Sequence, residues 1–450
     1  MGSPAPARAA NVTPSVKTLF TFYLAHEFSA PARFLVPTLG LPLDPTFQLP
    51  NMSPVAPTTQ VPPISFEDTR VAFTSKSDAQ LRKVYAVFAA MNNGGLVKTG
   101  SGLMKTALKW NLPGTKFLIK HSIFEQFCGG ETIAECRAVT AELGKYNIGT
   151  ILDYSVEGEG SDRSYDRTRD EILATIDEAH RSRHIPFSVF KVTGVANVAI
   201  LEKIQAGKTL STNEQVAHAR AVARVEALCA KAHEFGIRLF FDAEESWFQN
   251  TIDELSYEMM ARFNHEKAIV WNTYQLYRHD RFEALKAAHE AAETGSYYLG
   301  VKLVRGAYME KESRVAQQRS YPNPINNGKQ ATDDLYNESL RYCVQHVARI
   351  ATCAGTHNES SSLLLTQLMA DAGLAPGDKR IWFAQLYGMS DNLTFNLANA
   401  GYNTAKYLPY GPVEAVMPYL LRRADENTAI AGQSSREFLL IEKEIRRRRS

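Results

Sequence analysis

Eight short β-type runs alternate with long amphipathic stretches after Asn147, and this alternation constrains the fold more than any other feature. The runs span residues 148–156, 187–195, 236–244, 268–275, 298–308, 349–357, 380–387 and 404–410. The spacers hold one or two helices each, as in residues 213–235 and 329–348. Near-continuous apolar strands are typical of a parallel sheet that is covered on both faces. Eight such strands predict an α/β fold of the (β/α)8 TIM-barrel type.

A doubly wound open sheet is the alternative that the same alternation allows. Such a sheet more often carries a glycine fingerprint directly after its first strand. Here the first strand is followed by Glu157-Gly158-Glu159-Gly160, which lacks the required spacing and brings two acids that suit a pyrophosphate poorly. The barrel is therefore favoured.

The distribution of proline divides the chain. Residues 1–63 hold twelve of the 20 prolines, a composition that resists regular packing. We interpret this Pro-rich extension as poorly ordered or foreign to the natural protein. A transit peptide is the alternative, although Arg8 and Lys17 are few for its usual basic pattern. Helical apolar spacing follows near residues 66–90, 103–120 and 130–146. The predicted organisation is an extension (1–63), a helical arm (64–146) and the barrel with a C-terminal helix (147–450).

Composition excludes several classes of protein. With 44% hydrophobic and 22% charged residues the chain is globular, and its net charge of +2 does not indicate a nucleic-acid partner. The five cysteines form no CxxC pair, so we expect reduced, buried thiols in a reducing compartment. No apolar run approaches the roughly 20 residues that a membrane span needs. We expect a soluble, intracellular protein.

Polar residues cluster where the predicted strands end, which is the catalytic face of a (β/α)8 barrel. They are Asp153, Glu157, Lys191, Thr193, Asp242, Glu244, Glu245, Asn272, Gln275, Lys302, Arg305, Tyr308, Thr356, His357, Asn358, Gln385, Tyr387, Tyr407 and Tyr410. Charges that recur on several buried strands near one rim require a ligand or a mutual network. His357 has no partner at metal-ligand spacing, so no metal site is predicted.

The helix that follows the eighth strand carries a second cluster. Tyr419, Arg422, Arg423 and Glu426 fall within about a 100° arc of that helix. Two guanidiniums on one face match the two oxygens of a small carboxylate. Further on, an apolar stripe leads to the basic run 446–449. That end is either a docked helix with a solvated tip or, in the sharper interpretation, an attachment point on anionic lipid.

Four strings resemble the proline dehydrogenase family. They are Phe241-Asp242-Ala243-Glu244-Glu245, Val301-Lys302-Leu303-Val304-Arg305-Gly306-Ala307-Tyr308, Gly355-Thr356-His357-Asn358 and Tyr419-Leu420-Leu421-Arg422-Arg423-Ala424-Asp425-Glu426-Asn427. The match runs from about Phe66 to the C-terminus and resembles the monofunctional enzymes. It implies oxidation of L-proline to 1-pyrroline-5-carboxylate in proline catabolism, with hydride transfer to FAD and electrons passed to membrane quinone.

The resemblance also implies residue roles. The catalytic residues would be Lys191, Asp242, Lys302, Tyr407, Arg422 and Arg423. In the substrate site, the carboxylate would be bound by Lys191, Arg422 and Arg423. The ring would pack against Tyr407 and Tyr419, with Leu386 and Ala307 on its apolar side. Glu426 would orient the two arginines, and Glu157 would pair with Arg422 and close the site. The cofactor would contact Asp242, Val270, Asn272, Lys302, Val304, Arg305, Gly306, Ala307, Thr356, His357, Asn358 and Gln385. Asp242 would also support Lys191.

Two positions depart from the family pattern. Many bacterial members carry arginine and lysine where this chain has Lys302 and Arg305, so the pair is exchanged. The resemblance implies that Lys302 addresses flavin N5, which it would do with a different geometry from arginine. Asn272 stands where relatives often have glutamine.

Other functions stay open. The alternatives are a hydroxyproline dehydrogenase, a methylenetetrahydrofolate reductase-type flavin barrel and a non-catalytic barrel that binds a small anion. The resemblance implies a cytoplasmic protein, peripheral at the inner membrane, if the chain is bacterial. For a eukaryotic chain it implies the matrix side of the mitochondrial inner membrane.

Overall fold

The computed structural model describes residues 64–92, 112–155, 160–429 and 433–450, together with Gly95, Gly100, Gly102, Met104 and Trp110. Side chains between 424 and 435 lie outside this description. The Pro-rich extension over 1–63 and the predicted site residue Glu157 lie outside it as well, and the division into three segments stays a prediction.

Eight parallel strands close into a barrel in chain order, and β8 pairs with β1. Strands β1 to β8 span Ile148–Tyr154, Phe187–Lys191, Arg238–Asp242, Val270–Gln275, Leu299–Val304, Ile350–Gly355, Ile381–Leu386 and Thr404–Tyr410. The predicted (β/α)8 barrel is confirmed. Several predicted strands run too far at the C-terminal end: residues after Lys191 form a 3-10 turn (Val192–Gly194), and the chain turns away after Val304, where Gly306 has a φ of 76°.

Helices surround the barrel and cover its mouth. In the described residues, α1 to α16 span Thr69–Ala72, Asp78–Met91, Thr115–Ile119, Glu125–Phe127, Ile133–Gly144, Asp162–Arg181, Val198–Gln205, Thr212–Phe235, Ser246–Phe263, Arg281–Thr294, Met309–Arg319, Gly328–Gln345, Glu359–Asp371, Asp391–Asn399, Val413–Ala429 and Gln433–Arg449. A π-helical turn, Lys120–Phe124, joins α3 to α4. No helix of the described residues is long and apolar enough to cross a membrane.

The lower half of the barrel is filled by aromatic side chains. Phe187 stacks on Phe240 with ring centroids 4.4 Å apart, and Trp271 meets Phe187 edge-on at 5.3 Å. Because side chains alternate along a strand, residues two positions further along β2 to β4 also face the lumen. The aromatic layer therefore forms a dry floor, and Lys191, Asp242 and Thr273 are polar inward residues above it in β2 to β4.

The arm before β1 crosses the C-terminal end of the barrel. Gln126 donates to the Gly388 carbonyl at 2.9 Å, and the Gly129 amide donates to the Pro409 carbonyl at 2.9 Å. A Cβ at Gly388 would lie 2.0 Å from the Gln126 carbonyl oxygen, so the arm fits there only because that residue is glycine. These contacts hold the arm beside the mouth.

The C-terminal helix α16 packs on α2. Tyr85 stacks on Phe438 at 4.8 Å, and Leu440 and Ile441 are buried. Arg448 bonds Asp78 at 2.9 Å in addition to its own helix. Part of the apolar stripe is therefore packed on protein, as expected for a docked helix, and the attachment point on lipid stays a prediction.

Replacing Gly300 in β5 with alanine should destabilise the barrel. The added Cβ would lie 2.5 Å from Trp271 Cγ and 2.6 Å from the Val270 carbonyl oxygen, so the floor must shift. We expect a loss of about 1–3 kcal/mol in the free energy of unfolding, measured by urea denaturation. Gly377→Ala is the control, because its Cβ meets nothing closer than 3.6 Å. Equal stability of the two variants would contradict the proposed floor packing.

Candidate active site

A buried lysine lies in the barrel lumen above the aromatic floor. Lys302 of β5 donates to the Tyr407 hydroxyl at 2.6 Å and forms an ion pair with Asp242. Tyr407 donates to the same carboxylate at 2.8 Å, and the Lys302 amine lies 4.8 Å from the Phe240 ring centroid. Burial, followed by Asp242, raises the pKa of Tyr407 well above its usual value, so the phenol keeps its proton and donates. The group fixes the positions of the Lys302 amine and the Asp242 carboxylate in the lumen.

A second cationic group lies in a neighbouring cavity. Lys191 of β2, Asp153 of β1 and Arg422 of α15 line this cavity, together with Tyr419. The Tyr308 phenol, and then Asp153 acting against burial, raises the pKa of Lys191, so its amine is charged. The predicted support of Lys191 by Asp242 is not what the structure has: Asp242 binds Lys302, and Asp153 is the carboxylate that lies with Lys191.

The paired arginines of α15 serve different sides of the mouth. The Arg422 guanidinium lies 5.7 Å from the Tyr308 ring centroid and donates to its hydroxyl at 3.4 Å. The Arg423 guanidinium lies 5.1 Å from the Tyr419 ring centroid and contributes to the low pKa of His357. The side chain of Glu426, predicted to orient both, lies outside the described residues.

The turn after β2 is held by a buried carboxylate. The backbone amide of Thr193 donates to Glu244 at 3.1 Å, and its hydroxyl donates at 2.5 Å. Burial raises the pKa of Glu244 to about 7, although Lys191 acts in the opposite direction. Glu244 is therefore close to half-protonated at neutral pH.

Predicted cofactor residues after β5 form an open, basic corner. Arg305 pairs with Asp333 of α12, donates to Ser361 at 2.6 Å and lies 3.7 Å from the Tyr336 ring centroid. Within the described residues its buried Nε has no hydrogen-bond partner. At Gly306 an added Cβ would meet nothing closer than 3.9 Å. Val304 ends β5, and Ala307 is exposed on the same loop.

The residues after β6 lead into α13. Asn358 caps this helix by accepting from the Ser361 amide at 2.9 Å, and Thr356 accepts from the Asn358 amide at 3.1 Å. His357 Nδ1 lies 2.8 Å from the Ser390 hydroxyl. Burial, helped by Lys406 and Arg423, lowers the pKa of His357 to about 3, so its imidazole is neutral at pH 7.

Three predicted cofactor side chains are not brought into the lumen. Val270 and Asn272 lie on the outer face of β4, where Asn272 donates to Asp253 of α9 at 2.8 Å. Gln385 lies on the outer face of β7 and accepts from Thr394 of α14 at 2.7 Å. The reason is strand alternation, since their inward neighbours are Trp271, Ala384 and Leu386. Leu386 is the last residue of β7 and packs, partly buried, against the luminal cluster.

Comparison with known proteins adds a family to this geometry. The family model described as "Proline dehydrogenase" matches residues 136–436. "Proline dehydrogenase 1, mitochondrial" of Dictyostelium discoideum is 32% identical over 426 residues, which cover 85% of this chain and 74% of that protein. The chain belongs to the proline dehydrogenase family.

Other relatives of this proline dehydrogenase family member differ in their names and lengths. "Carbapenem antibiotics biosynthesis protein CarD" of Pectobacterium carotovorum is 34% identical, over 74% of this chain and 86% of that protein. The proline utilization A structure of Bdellovibrio bacteriovorus, inactivated by N-propargylglycine, has a TM-score of 0.61 at 20% identity and supports the fold. It matches 81% of this chain, which spans only 38% of that longer one.

Sequence reasoning assigned no role to several side chains at the mouth of this proline dehydrogenase family member. Tyr308 and Asp153 were visible as polar strand ends, and their place beside Lys191 makes them part of the cationic cavity. No sequence pattern pointed to Asp333 or Ser390. Each contacts its partner, Arg305 or His357, across about 30 residues of chain.

Glu244→Gln tests the raised pKa of Glu244. The folded carboxyl holds its proton up to about pH 7, whereas the unfolded one releases it near 4.5, so the wild-type protein loses stability as pH rises between these values. Relative to wild type, the variant should gain on the order of 2–3 kcal/mol between pH 4 and pH 8, measured by urea unfolding.

Glu214→Gln is the control with the opposite sign. The hydrogen bond from Lys203 lowers the pKa of Glu214 to about 2, so this variant should lose stability relative to wild type as pH rises. Parallel pH profiles for wild type and Glu244→Gln would show that folding does not raise the pKa of Glu244, and would contradict this prediction.

Proposed function

We propose that this chain oxidises L-proline to 1-pyrroline-5-carboxylate with FAD as the hydride acceptor. The observation that carries the proposal is the cavity in which Lys191 and Arg422 lie together beside the Tyr419 ring. Two cations against an aromatic face suit a molecule with a carboxylate at one end and an apolar ring at the other. Membership of the family supports the same substrate.

The residues beside this cavity fit FAD. Arg305 has a buried Nε with no partner among the described residues, and Gly306 leaves the backbone open, which suits a pyrophosphate. We propose that Arg305, Gly306 and Ala307 hold the phosphates, and that Thr356, His357 and Asn358 hold the ribose and adenine end. When bound, the flavin would accept the hydride from the ring carbon next to the nitrogen. Lys302 would address the flavin ring.

The chain's own residues would bind and orient the substrate and exclude water from it. Lys191 and Arg422 hold the carboxylate, with Arg423 as the second predicted guanidinium on α15, and Tyr419 excludes water from the ring. Surrounding cations disfavour a second positive charge, so they lower the pKa of the bound substrate amine and favour the neutral form, whose lone pair assists hydride loss.

We propose membrane quinone as the electron acceptor, in proline catabolism. The names of the relatives from Dictyostelium discoideum and Arabidopsis thaliana call those proteins mitochondrial, which supports a mitochondrial location for this chain. For a eukaryotic source we propose the matrix side of the inner membrane. The cytoplasmic alternative applies to a bacterial source.

Arg422→Met tests the substrate assignment in the reconstituted flavoprotein. Anaerobic proline should bleach the flavin of the wild-type protein, whereas NAD(P)H should not. The variant loses one charge-assisted contact of about 1.5–3 kcal/mol, so the proline concentration for half-reduction should rise roughly tenfold to a hundredfold with FAD still bound. Arg423→Met should raise this concentration in the same way. The control is Arg341→Met, at an exposed residue of α12, which should leave it unchanged. Unchanged proline affinity in both would contradict the carboxylate site, and bleaching by NAD(P)H alone would favour the reductase-type barrel.

Substitution of Tyr407 tests whether proline or 4-hydroxyproline is the preferred substrate. Its aromatic ring is buried in the lumen and held by Asp242 and Lys302, so it should crowd the hydroxyl of 4-hydroxyproline at a cost of about 1–3 kcal/mol. Wild type should have the higher kcat/KM for proline, and Tyr407→Ser should narrow the ratio mainly by harming proline. Tyr407→Phe keeps the ring and should keep the preference. Comparable turnover of both substrates by wild type would instead favour a hydroxyproline dehydrogenase.

A further inference from the structure

We propose that Glu312 is a positioning residue that holds Tyr308 against the two cations of the substrate cavity. The Glu312 side chain does not line that cavity, and it acts through the placement of helix α11 (Met309–Arg319). The inference rests on the proposed function, because it gives this helix a role in seating the substrate carboxylate.

Helix α11 is attached to the barrel by few buried side chains. Of its eleven residues, Glu312 and Ala316 are the two that are buried. Packing of an apolar face usually holds a helix in place, and one buried alanine contributes little apolar area. The placement of α11 therefore depends more than usual on polar contacts.

The Glu312 carboxylate binds the first residue of α9. It accepts a hydrogen bond from the Ser246 amide at 2.7 Å and another from the Ser246 hydroxyl at 2.5 Å, and its side chain is fully buried. The first amides of a helix have no partner within the helix, and the helix dipole favours an anion there. Glu245 stands at the N-cap of α9 and makes no side-chain cap. Glu312 therefore supplies this cap from α11.

Weaker contacts join the same two helices. Lys311 forms an ion pair with Glu245, and its amine lies 5.6 Å from the Trp247 ring centroid. The Arg319 guanidinium lies 5.2 Å from the centroid of the same ring. The Lys311 and Arg319 side chains are about half exposed, so these contacts contribute less than a buried carboxylate. Trp247 is therefore a fluorescent reporter of whether α11 stays on α9.

Glu312 lies one helical turn after Tyr308. Its amide donates to the Tyr308 carbonyl at 2.8 Å, which joins the two residues in the first turn of α11. The Tyr308 hydroxyl accepts from Arg422 at 3.4 Å, and the Tyr308 phenol is the largest influence that raises the pKa of Lys191. Lys191 and Arg422 both line the substrate cavity. The contact between α11 and α9 therefore places Tyr308 beside both cations.

The proposed flavin phosphate site is held by other elements. Arg305 pairs with Asp333 of α12 and donates to Ser361 of α13 at 2.6 Å, and neither partner belongs to α11. Loss of the Glu312 contact should therefore displace Tyr308 and leave the phosphate site in place. This difference separates a positioning role from general destabilisation.

Glu312→Ala tests the proposal in the reconstituted flavoprotein. Alanine keeps the helix-forming tendency of α11 and removes both hydrogen bonds to Ser246. The proline concentration for half-reduction of the flavin should rise roughly tenfold, while FAD affinity and the reduction rate at saturating proline stay within about twofold of wild type. Glu312→Gln keeps an oxygen that accepts from the Ser246 amide, so it should retain most of the proline affinity. The control is Glu310→Ala, at an exposed residue of the same helix, which should change none of these quantities.

A double-mutant cycle tests whether Glu312 acts through Tyr308. In a Tyr308→Ala background, Glu312→Ala should raise the half-reduction concentration by less than about twofold, because the ring that it positions is absent. If the two losses multiplied, Glu312 would act independently of Tyr308 and the proposal would be wrong. Ser246→Ala removes one of the two hydrogen bonds and should give a smaller rise. It is the test variant if Glu312→Ala does not fold.

Quenching of Trp247 fluorescence by acrylamide reports on α11 without the substrate. Glu312→Ala should increase the quenching, and the increase should vanish when Trp247→Phe is added. Unchanged quenching would show that α11 stays on α9 without Glu312, and would overturn the proposal. A loss of FAD affinity equal to the loss of proline affinity would also overturn it, because the effect would then be general.

The wild-type protein separates failure of this inference from failure of the proposed function. If proline did not reduce the wild-type flavin, the proposed function would fail and the positioning role with it. If proline reduced the wild-type flavin and the half-reduction concentration were unchanged in Glu312→Ala, this inference alone would be wrong.

Discussion

Closure of the parallel sheet is the constraint on which the site depends. β8 pairs with β1 along its whole length, from Ile148 beside Thr404 to Tyr154 beside Tyr410. Once the sheet is closed, the inward side chains at the C-terminal ends of the strands share one narrow space. Charges in that space are shielded from bulk water, so they must pair with each other or with a bound ligand. Lys302 and Asp242 meet this condition within the lumen.

A second network of buried charges stabilises the fold around the mouth. Lys406 of β8 lies 2.9 Å from Asp391, which also binds Lys76 of the arm at 3.2 Å. Glu437 of α16 accepts from the Ser390 amide, and burial raises its pKa to about 8. Because removal of one partner would leave a buried charge, this network ties the arm, β8 and α16 together behind the mouth. Ser390 connects it to His357.

The two cationic groups at the mouth differ in how far the protein itself satisfies them. Lys302 has a carboxylate and a phenol within its own lumen, and this fixes its position. Lys191 shares a cavity with Arg422 and Asp153, so two cations and a carboxylate lie close together there. Two cations that line one cavity can attract an anion to it. The apolar face of Tyr419 then limits which anions fit.

The sequence by itself determined the number and order of the strands, and it located most of the mouth, because strand ends in a closed parallel barrel must meet. Lys191, Lys302 and Arg422 follow from that rule and from the resemblance. Only the tertiary structure decided that Asn272 faces α9 and that Asp153 accompanies Lys191. The face of the sheet to which a strand residue points depends on the register of that strand in the closed barrel. Ion pairs between distant segments depend on how those segments pack. A local sequence pattern encodes neither the register nor the packing.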